Sequence, residues 1–351
     1  MARWPGDGSP GTAHRVKGSS LATVRRPVVP LPRRPSTGTN SDTGTGTGTG
    51  TGTNPFRSPL PGRHRMSAAA PGDGPGVGRY GEDVFRPEQA GEDERIDLGA
   101  LAYDDITMAR LRALGVGPGW RCLDVGAGTG TVSRRLLEEA GVTSVLAVDR
   151  DTRFLRARPP VPGLDVLEAD LTAPGSVRGR FSLVHARFVL MHLADRERVL
   201  SSLAALVAPG GLLVLSDAVD LTSDLSPGTP YGDAMRAMWQ GLRATIGTDV
   251  SWVPSYPRLL RAAGLRSVAA EIHVPPLLPG GPLSRFWADT WERSREAMLA
   301  TGLVDDASLD TAVSCLDSGD CAALSAGMLT AWGRKPDGTD ETDQTDATSE
   351  G

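Results

Sequence analysis

The sequence predicts an α/β fold, a doubly wound, mostly parallel seven-stranded sheet with helical cap insertions. Three observations carry the prediction. From Asp83 onward, short apolar runs alternate with stretches of helical period. A cluster of glycines sits where the first strand meets the helix after it. The residues that cannot join such a pattern collect at the two ends of the chain. Strands that alternate with helices must be joined by crossovers, which lays the strands parallel and covers both faces of the sheet.

The elements follow in order. Leu98–Leu114 reads as a helix, with Leu101, Ile106, Met108, Leu111 and Leu114 roughly on one side. Trp120–Val125 is a short strand running into glycines. Thr131–Ala140 places Val132, Leu136, Leu137 and Ala140 on one helical stripe, which Gly141 ends. Ser144–Val148, Leu164–Leu167, Leu183–His185 and Leu212–Leu215 are further strands. A helix bearing Val199, Leu200, Leu203 and Leu206 joins the last two. Beyond Asp217 the alternation loosens into helices at Asp233–Ile246 and Tyr256–Ala263. Arg266–His273 and Ala322–Trp332 read as the sixth and seventh strands, separated by a helical insertion, Leu283–Leu316. Residues 218–264 and 276–318 are expected to form a cap over the strand ends.

The chain has 351 residues and a formal charge of −5, but that average hides three parts. Residues 1–80 hold 15 of the 43 glycines and 11 of the 27 prolines and carry +8. Residues 81–335 sit near −7, and 336–351 hold six acidic residues and no basic one. Thr43–Thr53 is a pure Thr-Gly alternation. Such a tract has too little apolar surface to offset its ordering entropy, so residues 1–80 and 336–351 are expected to be disordered tails. The basic tail also has the charge of an arm for an anionic surface. Met66, which opens Met66-Ser67-Ala68-Ala69-Ala70, reads equally as a true start, which would leave the first 65 residues outside the native protein.

Cys122, Cys315 and Cys321 are too few for a disulfide scaffold and contain no CxxC pair, so no metal site is expected. The longest apolar run, Leu203–Leu215, is interrupted by Pro209-Gly210-Gly211 and falls short of the ~20 residues a bilayer requires. A cytoplasmic, reducing-compartment protein with no membrane partner is the expectation. The acidic body is poorly suited to phosphate contacts, which argues against a nucleic-acid partner.

The chemistry lies in Cys122-Leu123-Asp124-Val125-Gly126-Ala127-Gly128-Thr129-Gly130. The glycines allow a tight turn and a close ligand approach at a helix N-terminus. Their spacing is G-x-G-x-G, and Thr131 stands where a dinucleotide fingerprint needs its third glycine. Asp124, two residues before the first glycine, can face a cationic ligand group but would repel a pyrophosphate. Asp149 ends the second strand, where a carboxylate can accept both hydroxyls of a ribose, and Asp170 ends the third.

At these residues the chain resembles the class I S-adenosylmethionine-dependent methyltransferases, over roughly Asp83–Arg334. The resemblance implies S-adenosyl-L-methionine as cofactor, a small or medium organic molecule as acceptor, and an antiparallel last strand ending in Ala331-Trp332-Gly333-Arg334. It implies that Asp124, Gly126 and Gly128, with Ala127, Thr129 and Gly130 of the same turn, line the methionine portion of the cofactor. Asp149, beside Arg150, would take the ribose diol. Asp170 and the Leu171 amide would address the adenine. His185 and Arg187, at the end of the fourth strand, would pass under the methyl group. Ala208-Pro209-Gly210-Gly211-Leu212 matches the family's turn into the fifth strand. Arg187-Phe188-Val189 stand where base-methylating members carry Asn-Pro-Pro-Tyr, and Phe181-Ser182 replaces the usual Phe-Asp.

Plainer readings stand beside these. Arg150 reads as an exposed charge, and His185 as either a core histidine or a cofactor wall. His192 suits helix packing better than general-base work, although an imidazole titrates near neutrality. Met235, Met238 and Trp239, like Phe286, Trp287 and Trp291, read chiefly as packing. No catalytic residue is assigned and the oligomeric state stays open. An NAD-dependent oxidoreductase and a non-catalytic cofactor-binding regulatory module are the competing functions.

Overall fold

The computed structural model describes residues 78–221, 223, 225–318 and 324–337. The Thr-Gly tract, Met66 and nearly all of both expected tails lie outside them.

The strands are β1 (Arg121–Val125), β2 (Ser144–Asp149), β3 (Leu164–Glu168), β4 (Phe181–Arg187), β5 (Val207–Val219), β6 (Arg266–His273) and β7 (Gly327–Arg334). They form one sheet of order β3-β2-β1-β4-β5-β7-β6. The pairs from β3 to β5 are parallel, and β7 runs antiparallel between β5 and β6. The expected sheet is therefore present, with its order reversing between β1 and β4. At such a switch point the crossovers leave in opposite directions and open a crevice at the strand C-termini.

The helices are α1 (Glu92–Ala113), α2 (Thr131–Glu138), α3 (Arg153–Ala157), α4 (Arg196–Leu206), α5 (Pro230–Ile246), α6 (Tyr256–Ala262), α7 (Pro282–Leu299) and α8 (Asp306–Ser318). Strand alternation decides which helix covers which face. Cys122, Val145, Leu183 and Val214 pack under Met108 and Leu111 of α1 and Leu136 of α2. Leu123, Val184 and Leu213 face Val199 and Leu203 of α4 and Leu260 of α6 on the other side. A third core belongs to the cap, where Met235 and Met238 of α5 meet Trp287 and Trp291 of α7 and Leu309 and Leu316 of α8. The start of α5 is fixed locally: Pro230 occupies its first turn and Thr229 Oγ1 accepts the Gly232 N–H at 3.1 Å.

Several boundaries differ from expectation. The single insertion helix is two, α7 and α8. The stretch Tyr256–Ala262, expected in the cap, packs with the sheet because Tyr256, Leu259 and Leu260 turn inward onto it. Pro209-Gly210-Gly211 lies within the span of β5 but interrupts its pairing with β4 as expected of a glycine turn, with Gly210 at φ 71° and its N–H on the Lys335 carbonyl at 3.0 Å. Cys122 is free and buried. Among the described residues no helix is long and apolar enough to cross a membrane.

Candidate active site

A cavity of about 820 Å³ opens at the C-terminal ends of β1 to β4, roofed by α1, α5 and α7. Its floor is the glycine turn. Gly126 and Gly128 have φ of 62° and 57°, in the left-handed region that side chains disfavour. A Cβ on Gly126 would lie 2.3 Å from Val189 Cγ2. The Gly128 N–H donates to Asp149 Oδ2 at 2.8 Å, and the Asp151 N–H to Asp149 Oδ1 at 3.2 Å. The turn after β1 and the acid ending β2 are thus joined directly. Burial raises the Asp149 pKa, and these backbone donors oppose the rise. Among the described residues Asp149 has no cationic partner.

Asp124 lines the same floor, but its carboxylate is used inside the protein. Ser133 Oγ donates to Oδ2 at 2.6 Å, and His185 Nδ1 lies 2.8 Å from Oδ1. Asp124 therefore lines the floor with part of its acceptor capacity already used: Cys122 and Asp124 share the strand face covered by α2, which brings Ser133 to it. A spare valence lies on His185, whose buried Nε2 has no partner among the described residues.

Asp170 sits at the far end. Thr172 donates to Oδ1 through its N–H at 2.8 Å and its hydroxyl at 2.6 Å, and Arg79 donates to Oδ2 at 2.7 Å. Partial burial raises this carboxyl, but the Arg79 and Thr172 bonds outweigh it and hold the pKa at about 2.

Ala127, Thr129, Arg150, Leu171 and Arg187 also line the cavity. Gly130 does not: it precedes α2, and a Cβ there would lie 2.7 Å from Leu155 Cδ2, so its role is to let the helix pack. Arg150 is no free charge but holds Glu82 at 2.8 Å and the Tyr80 carbonyl. Arg187 reaches Asp104 at 2.6 Å and Thr107 at 3.0 Å, tying β4 to α1. His192 is half-buried on the wall, with Nδ1 2.9 Å from Thr248 Oγ1. Burial, then Arg95 and Arg196, lower its pKa to about 3, so it is neutral at physiological pH. Met235 is core, while Met238, Trp239, Phe286 and Trp287 reach the cavity.

Two features escaped sequence reasoning. Arg79 and Tyr80, on the tail side of a boundary drawn at 80, cross the cavity edge. Tyr80 lies against the rings of His192, at 4.5 Å, and Phe85, at 5.2 Å. Its hydroxyl accepts from Arg95, a buried guanidinium that also grips Glu92 at 2.9 and 2.6 Å and reaches Thr290 at 3.3 Å. Glu92 and Arg95 stand in a charged run, Glu92-Asp93-Glu94-Arg95, which reads as solvated surface; only α7 lying across it buries the pair.

Residues 63–270, more than half of the chain, match a family model described as a methyltransferase domain. The chain belongs to that family. It is a methyltransferase, and S-adenosyl-L-methionine is its cofactor, which sets the oxidoreductase reading aside. It is 34% identical over 206 residues to methyltransferase str3 of Strobilurus tenacellus, covering 55% of this chain and 72% of that protein. It is 36% identical over 136 residues to the demethylmenaquinone methyltransferase of Thermus thermophilus, covering 37% and 60% respectively. Among solved structures it is similar to phosphoethanolamine N-methyltransferase 2 of Haemonchus contortus in complex with S-adenosyl-L-methionine, at 16% identity and a TM-score of 0.45, covering 72% of this chain and 60% of that one.

Proposed function

We propose that the cavity binds S-adenosyl-L-methionine along its floor and methylates a small or medium organic acceptor held under the cap. The observation that carries the assignment is Asp149, a half-buried carboxylate without a cationic partner among the described residues, fixed to the Gly128 amide at the end of the neighbouring strand. The residues present suit the cofactor in three further respects: a backbone turn with no room for side chains at Gly126, an orphaned imidazole nitrogen at His185, and an acid at Asp170. Asp149 would accept the ribose hydroxyls, Asp170 with the Leu171 amide would face the adenine, and His185 with the Ala127–Thr129 turn would border the methionine end.

The cofactor supplies a methyl group on an electrophilic sulfonium, to be taken by an acceptor lone pair while sulfur keeps the bonding pair. The protein's work is then orientation and exclusion of water. The floor fixes one reactant, and α1, α5 and α7 close over the other. The burial that keeps His192 neutral also makes it a poor base, so at that point the wall supplies shape and not proton transfer.

Calorimetry with S-adenosyl-L-methionine tests the assignment. Replacing Asp149 with Ala removes charge-assisted bonds and should weaken binding about tenfold to a hundredfold. Because burial raises the Asp149 pKa, wild-type affinity should begin to fall, on acidification, at a higher pH than an exposed aspartate would give. Unchanged affinity in Asp149→Ala would place the cofactor elsewhere.

A further inference from the structure

The roof of the cavity differs in kind from its floor. Among the rings that line the cavity are Tyr103 of α1, Phe188 just after β4, Trp239 of α5, and Phe286 and Trp287 of α7. They meet edge to face. Tyr103 and Phe188 are 5.2 Å apart at 69°, Trp239 and Trp287 6.0 Å at 81°, and Phe286 and Trp287 4.9 Å at 68°. Edge-to-face neighbours leave ring faces and edges available to a further ring.

Phe188 is held there against its backbone preference. Its φ is 57°, left-handed for a bulky residue. The conformation is locked from both sides: the Phe188 N–H donates to the Ser216 carbonyl at 2.8 Å, and the Val189 N–H to Asp217 Oδ1 at 2.8 Å. Strain maintained by its surroundings at a cavity wall marks a side chain placed for a ligand. Phe85, the neighbour of Tyr80 and Arg95, also has a positive φ, of 59°.

The charges of the roof are already spent. Glu92 holds Arg95, and Asp104 holds Arg187. Among the described residues of the roof, an anionic acceptor finds no unpaired guanidinium and a cationic one no unpaired carboxylate, the unpaired Asp149 lying on the floor. The faces of Phe85, Phe286 and Phe188 already lie near guanidinium groups, whereas among the described residues none stands over Tyr103, Trp239 or Trp287. Arg95 lies over Phe85 at 4.3 Å and Phe286 at 5.4 Å, and Arg187 lies 5.9 Å from the Phe188 centroid. A second cation over these three rings would sit beside like charge.

We infer that the roof selects a neutral, planar aromatic ring as the body of the methyl acceptor, seated among Tyr103, Phe188, Trp239, Phe286 and Trp287. The inference rests on the methyltransferase reading of the cavity. Phe188 and Phe286 act on specificity through ring contact, and neither carries the chemistry.

The test uses the full-length protein saturated with S-adenosylhomocysteine, whose own affinity is first measured by calorimetry. Binding of 2-naphthol, cyclohexanol and cyclohexylamine is then read by tryptophan fluorescence and calorimetry. 2-Naphthol should bind at least about tenfold more tightly than either saturated compound, given that ring–ring contacts add ~0.5–1.5 kcal/mol each. Phe188→Gly tolerates the left-handed backbone, and Phe286→Leu keeps apolar bulk while removing the ring. Each should weaken 2-naphthol about threefold to tenfold while leaving S-adenosylhomocysteine within about twofold. Equal binding of cyclohexanol or cyclohexylamine, or unaltered 2-naphthol affinity in both variants, overturns the inference. If a variant loses S-adenosylhomocysteine and does not fold, the wild-type ranking of the three compounds still decides. Failure of the wild-type protein to bind S-adenosylhomocysteine would overturn the methyltransferase assignment of the cavity, a result distinct from binding it without preferring the aromatic probe.

Discussion

The floor and the roof of one cavity are built on opposite principles. The floor is made of backbone: left-handed glycines, strand-end amides and acids spaced by the strand–helix repeat. Its key contact, Gly128 to Asp149, joins residues 21 apart in sequence that neighbouring parallel strands bring side by side. The roof is made of side chains from α1, α5 and α7, assembled from residues nearly 200 apart, such as Arg95 and Thr290. Its charges are matched internally before any ligand arrives. A surface of backbone donors and one acid without a cation, Asp149, suits one fixed ligand, whereas a ring-lined roof can change its choice by changing a few side chains.

If the roof's charges serve structure, breaking one of its pairs should destabilise the protein more than any loss at the seam or the floor's edge. Replacing Glu92 with Ala strands the buried Arg95 guanidinium, and losing one partner of a buried pair costs about 3–5 kcal/mol. Urea denaturation reads this directly. A loss below about 1 kcal/mol would mean that the pair is solvated and the roof not dry.

His192 lies at the seam. Its folded pKa of about 3 is below the unfolded value, so the folded state binds fewer protons between pH 3 and 6.5. Stability is complete above about pH 6.5 and falls as the pH drops through that window. Between pH 7 and pH 5 the wild-type protein should lose about 2 kcal/mol more than His192→Phe. Parallel loss in the two proteins would show that the imidazole is wet.

The smallest effect belongs at the floor's outer edge. Arg79 and Asp170 have side chains 43% and 32% exposed, so Arg79→Ala should change stability by less than about 1 kcal/mol, and less still at high salt. Denaturation at two ionic strengths checks it. A larger, salt-insensitive loss would move Arg79 from the rim into the core.

The same contrast explains what could be read from the amino-acid sequence. The alternation of strands and helices and the glycine turn are legible because period-2 and period-3.6 patterns and obligatory glycines are local, whereas the order of the strands in the sheet is not written in any local pattern. The role of Asp124 was not, because Ser133 and His185 reach it from other elements. α1 begins at Glu92 and not at the expected Leu98, because the charged turn Glu92–Arg95 is buried by contacts from α7, far along the sequence. The division of the insertion into α7 and α8 was missed because Thr301-Gly302 is a weak break between two apolar stretches. No composition or periodicity records that Phe188 adopts a positive φ, since the constraint lies in Ser216 and Asp217 of the adjoining strand.

The position of β7 sets an order of events. It is the last strand in the chain yet an interior one in the sheet, and β6 pairs with nothing else. As the polypeptide emerges from the ribosome, β5 presents a bare edge and β6 has no neighbour until Gly327–Arg334 has been made. Both edges must wait for these eight residues, which follow α7 and α8 in the chain. A chain stopped short of Gly327 keeps the whole cofactor floor in its sequence but loses the strand that joins β6 to the sheet.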